Sequence, residues 1–135
     1  MKTVILVPRR EDGGHRDRLW AHCKALWIER HPDWEIYEGH HNDGPFNRSA
    51  AVNLAAEMAG DWDVALIIDS DVITAPDSVE DAVKLAYSTD KMVVGHDERV
   101  MLTKSGTESV LGGYMGPWRA RSMVERVWMD SVSCA

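Results

Sequence analysis

Val64-Ala65-Leu66-Ile67-Ile68-Asp69-Ser70-Asp71-Val72 joins an apolar run to two aspartates separated by one serine. Residues 64–68 read as a buried strand, because a short apolar run bounded by polar residues fits a strand covered on both faces. In extended backbone, positions i and i+2 point to the same side, so Asp69 and Asp71 are expected to share a side. Carboxylates so placed repel unless a positive group comes between them. Hard divalent cations prefer oxygen, and Mg²⁺ commonly takes one or two carboxylates plus substrate phosphates. The competing reading is a strand that leaves the core and meets water. D-x-D is a short pattern whose weight comes from its context.

Working outward, residues 3–7 are apolar and β-branched and read as a first buried strand, stopped by Pro8. The polar, glycine-bearing loop 9–15 follows. Leu19, Trp20, Cys23, Leu26 and Trp27 recur at helical spacing and predict a helix over 16–30, ended by Pro32. Trp20, Trp27 and Cys23 are expected in the core, with Trp62 packed at a strand entry. Residues 34–39 alternate as a second strand, the loop 40–46 follows, and Asn47 is placed to cap a helix over 48–59 that Gly60 closes. Ala51, Leu54, Ala55 and Met58 share one face of that helix. Pro76 suits the first turn of a further helix running to about residue 87, with Asp77, Glu80 and Asp81 near its positive end. The order β-α-β-α-β-α implies a parallel sheet covered by helices. Ligands in such sheets bind beyond the carboxyl ends of the strands. Asp69 and Asp71 lie at such an end, on a strand expected to be central. Residues 91–103 read as one or two strands broken near Gly95, 105–117 as turns, and 118–129 as a helix.

The 135-residue chain suits one domain over 1–135. It has 44% hydrophobic and 27% charged residues, as an ordinary globular protein does. A net charge of -7 argues against nucleic acid as a partner. No apolar stretch reaches the roughly 20 residues of a membrane span. Cys23 and Cys134 make no disulfide framework, so a reducing, cytoplasmic setting is expected. No Walker-type glycine loop supports a phosphoryl-transfer enzyme. His40 and His41 are adjacent and point apart in extended backbone, which suits a solvated loop better than one shared ion. Arg48, in the first turn of a helix, is unfavourable for the dipole. That placement makes sense if Arg48 meets phosphate, or if it is a surface arginine with its stem packed on the helix.

Three segments carry a family resemblance: VILVPRR (4–10), GPFNRSAAVNLAAEMAGDWDVALIIDSDV (44–72) and GGYMGPWRA (112–120). A helix with Asn53 among Ala50, Ala51, Ala55 and Ala56, then Gly60, an apolar strand and D-x-D, follow one another at the spacing of the GT-A glycosyltransferases. The chain resembles the family 2 type over about residues 3–121, and its Phe46-Asn47-Arg48 segment is also similar to the family 7 galactosyltransferases. The resemblance implies a Rossmann-like GT-A three-layer α/β sandwich with a mainly parallel central sheet, shortened at its C-terminal part. It implies a nucleotide-diphosphate-sugar donor, an acceptor not identified, and Mn²⁺ or Mg²⁺. Pro8 and Arg10 would lie along the nucleotide, and Asp43 would contact the base. Phe46 and Arg48 would meet the nucleotide and its phosphate. Asp69 would approach the ribose or metal, and Asp71 would bind the metal. Gly112 and Gly113, with Tyr114, would border sugar or acceptor; apart from the resemblance, Trp118 is the one tryptophan whose place in a turn-rich segment suits a position near an acceptor. Members normally supply a base from an acidic motif after the glycine pair and often a late histidine ligand. Here Glu125 and Asp130 are the only carboxylates after Gly113, and no histidine follows His96. Glu125 and Asp130 are therefore the candidate bases. The alternative is a shortened module that holds nucleotide-sugar, or a partner, without turnover; homo-oligomerisation stays open.

Overall fold

The structure, a computed structural model, describes residues 1–116 and the strand Val124–Met129. It divides into two compact units, Met1–Val93 and Val94–Ala135. The first unit runs β1 (Thr3–Arg9), α1 (His15–Arg30), β2 (Glu35–His40), α2 (Arg48–Ala59), β3 (Val64–Ile67) and α3 (Pro76–Thr89). Its three strands pair in parallel in the order β2-β1-β3. The alternation read from the sequence is therefore an α/β unit with a parallel sheet.

Strand alternation sorts the core into two faces. Ile5 and Val7 point to one side and meet Trp20, Cys23 and Trp27 of α1, Val79 of α3, and Ile68. Val4 and Leu6 point to the other and meet Ala55 and Ala59 of α2. Helices thus cover both faces of β1, which is fully buried along its length. Trp20, Trp27 and Cys23 are core residues as expected, whereas Trp62 stands 42% exposed.

Several boundaries and positions differ from the sequence reading. Pro8 does not stop β1, which continues to Arg9. The Leu6 carbonyl accepts from Ile68 N–H, so Leu6 faces β3, and Pro8, two residues on, faces the same side. β3 pairs only as far as Ile67 opposite Leu6, so the amide hydrogen that proline lacks costs no ladder bond. The central strand is β1, and β3 lies at the edge of the three described strands. Asp69 and Asp71 lie past the end of β3, Asp71 in a turn, so strand geometry does not set their directions. On α2 the buried stripe is Ala51, Ala55 and Ala59, while Leu54 and Met58 are exposed. The cause is the approach of β2: a Cβ at Gly39 would stand 1.8 Å from the Ala51 carbonyl oxygen. Helix and strand meet too closely there for leucine or methionine.

The second unit contains β4 (Glu98–Leu102), α4 (Lys104–Leu111) and β5 (Val124–Met129), with β4 and β5 antiparallel. Residues 105–117, read as turns, begin inside a helix. Thr103 caps it by accepting from Gly106 N–H at 3.0 Å, and Val110 is buried. Residues 124–129, read as helix, are strand, because pairing with β4 overrides a weak local preference. Among the described residues, no helix is long and apolar enough to cross a membrane.

Candidate functional site

The carboxyl ends of β1, β2 and β3 gather most of the residues singled out in the sequence. Arg10 follows β1 directly. Its Nε and Nη2 donate to the His41 carbonyl at 2.9 and 2.6 Å, and its guanidinium lies 5.7 Å from the Phe46 ring centre. His41 Nδ1 accepts from Asn47 N–H at 3.2 Å, tying the loop after β2 to the start of α2. Asn47 caps α2 through its side-chain oxygen, which accepts from Ala50 N–H at 3.0 Å. That cap fixes Arg48 as the first residue of the helix. Arg48 Nε and Nη2 both reach Asp69 Oδ1 at 3.0 Å. Arg10, Phe46, Arg48 and Asp69 are thus linked across all three strand ends, with Phe46 41% exposed.

The remaining expected residues fall as follows. Pro8 is buried within β1, opposite Gly39. Asp43 is exposed in the loop between β2 and α2, and Asp71 is exposed in the turn after β3. Gly112 and Gly113 belong to the second unit, at the end of α4, where Gly113 takes φ 105°. That left-handed backbone favours glycine. Glu125 falls on β5, whose side chains lie outside the described residues, as do Asp130 and Trp118.

Beneath Arg10 lies an ionic cluster that the sequence reading missed. Arg9, only 8% exposed, donates to Glu38 at 2.9 Å and to Asp17. Glu38 also accepts from Trp20 Nε1 at 2.9 Å and Lys24 Nζ at 2.8 Å, with His40 Nε2 at 3.7 Å. Burial pushes the Glu38 carboxyl up, but the bonds from Lys24 and Arg9, the Lys24 charge and the Trp20 N–H outweigh it and hold the group at about 2. Glu38 is therefore ionised at neutral pH and ties α1 to β1 and β2. The signal was present in the sequence: alternation carried past Pro8 puts Arg9 on the buried face of Ile5 and Val7, where a cation needs partners. The adjacent loop is also held. Asp12 accepts from the amides of Gly14, Arg16 and Asp17 at 2.9, 3.1 and 3.2 Å, which holds its carboxyl below the usual range.

Among the described residues, no three His, Cys, Asp or Glu side chains gather as a metal shell. Asp69 Oδ1 is engaged by Arg48, while Asp71 is exposed in the turn two residues on. Burial, then the charge of Asp71, pushes the Cys23 thiol up to about 11. A cavity of about 10 Å³ between Cys23, Trp27 and residues 72–74 has room for one water at most. A larger open depression, beside Lys2, His31 and Trp34, lies at the amino end of β1 and is separate from the candidate site. No family model, curated protein or solved structure matches the chain.

Proposed function

We propose that the carboxyl edge of the first unit binds a nucleotide-diphosphate sugar together with Mn²⁺ or Mg²⁺, and that the protein is a GT-A-like glycosyltransferase. The observation that carries this reading is the linkage of Arg10, Phe46, Arg48 and Asp69 across three parallel strand ends, with Asp71 in the turn two residues past Asp69. An exposed aromatic face with a guanidinium beside it suits a nucleobase. Arg48 suits phosphate, since guanidinium donors match phosphate oxygens two at a time. Asp69 and Asp71 would hold the cation, whose chemistry there is neutralisation of charge on a leaving diphosphate. Glu125 and Asp130 remain the candidate bases for the acceptor hydroxyl.

Calorimetric titration with uridine, guanosine and cytidine diphosphates, with and without Mn²⁺, tests the reading. One of them should bind at least about tenfold more tightly with the metal, a gain of about 1.4 kcal/mol. Asp71→Asn should remove that gain and abolish release of nucleoside diphosphate from the matching sugar donor. Binding without release by the wild-type chain would make it a donor-holding module instead. Absence of binding by all three would overturn the proposal.

A further inference from the structure

We infer that Arg48 and Asp69 form an exchange pair that couples anion binding to cation binding at this edge, an inference that rests on the nucleotide-and-metal reading above. Each side chain is the other's counter-ion: both Arg48 donors converge on the single oxygen Asp69 Oδ1 at 3.0 Å. Arg48 opens α2, whose first turn has no acidic residue to offset the cation. Asp69 supplies that offset from across the sheet edge. The two side chains are 54% and 53% exposed, so both are within reach of solutes.

A phosphate that takes the Nε and Nη2 donors of Arg48 displaces Asp69 Oδ1. The released carboxylate then repels that phosphate unless a cation neutralises it. A cation that takes Asp69 must likewise compete with the guanidinium and leaves Arg48 seeking an anion. Either solute alone breaks the pair at its own cost; together, each relieves what the other leaves. The coupling is reciprocal, as linkage requires. Asp71 carries the same charge two residues away and, among the described residues, has no bond to Arg48. It therefore serves as the charge-matched control.

The test uses the full chain and inorganic pyrophosphate, titrated calorimetrically with all divalent metal chelated. Asp69→Asn should bind pyrophosphate about two- to fivefold more tightly than wild type, the modest size expected for an exposed pair. Asp71→Asn should gain less than half as much. In the reverse experiment, Arg48→Gln should bind Mn²⁺ alone more tightly than wild type by a similar factor. Equal gains in the two aspartate variants would reduce the effect to bulk charge and overturn the inference. Weaker binding by Asp69→Asn would also overturn it, since Asp69 would then position Arg48 for the anion. If wild type fails to bind pyrophosphate even with Mn²⁺, the nucleotide-and-metal reading itself falls. If that binding is present and Asp69→Asn gains nothing, only the exchange pair falls.

Discussion

Among the described residues, Glu38 makes more side-chain hydrogen bonds and ion pairs than any residue expected at the site, and its neighbours explain why. Arg9 is nearly buried and its Nε has no partner among the described residues, so its remaining donors depend on Glu38 and Asp17. Glu38→Ala should destabilise the protein by about 2–3 kcal/mol in urea unfolding at pH 7. The loss is below that of a wholly buried pair because Glu38 keeps some contact with water. The sign of the pH effect follows from its carboxyl lying below the ordinary 4.5. The folded state binds fewer protons there than the unfolded chain, so the Glu38 contribution is complete above about 4.5 and is lost as the pH falls towards about 2. Glu38→Gln should therefore flatten the wild-type decline in stability across that window. An identical slope in both proteins would contradict the role. At this scale the sequence marked Arg48 and Asp69 separately but not as a pair. They are 21 residues apart, and no local rule joins a helix start to a strand end at that distance.

Among elements, the contact between β2 and α2 is the tightest constraint on the site, since α2 presents Arg48. A methyl group at Gly39 would overlap Ala51 backbone at 1.8 and 2.7 Å, and backbone cannot yield as a flexible side chain does. Gly39→Ala should cost about 3 kcal/mol and displace the start of α2. Urea unfolding measures the first effect, and loss of the Mn²⁺-dependent nucleotide affinity measures the second. Wild-type stability in this variant would show that the helix does not pack as described. The same contact explains why hydrophobicity misread α2: Leu54 and Met58 are the larger apolar residues, but only alanines fit against Gly39. α2 itself was legible because Asn47 caps it and Gly60 ends it. Elements α4 and β5 were not. The threonines, serine and glycine of 103–107 suit turns as well as a capped helix, and β5 depends on a partner distant in sequence.

For the whole molecule, the first unit follows from continuous apolar strands alternating with capped helices, a pattern that specifies a parallel sheet directly. What it leaves open is which strand is central, because strand order depends on crossovers and not on the apolar runs themselves. The account places function at the carboxyl edge of that sheet, with Asp69, Asp71 and Arg48 as the charged centre. The most direct test is anomalous diffraction from crystals of the full chain grown with Mn²⁺ and the nucleoside diphosphate that binds best. The account predicts a manganese peak about 2.1 Å from a carboxylate oxygen of Asp71, with a phosphate oxygen on Arg48. Nucleotide bound elsewhere on the chain, or manganese absent from Asp71 while nucleotide is present, would contradict it.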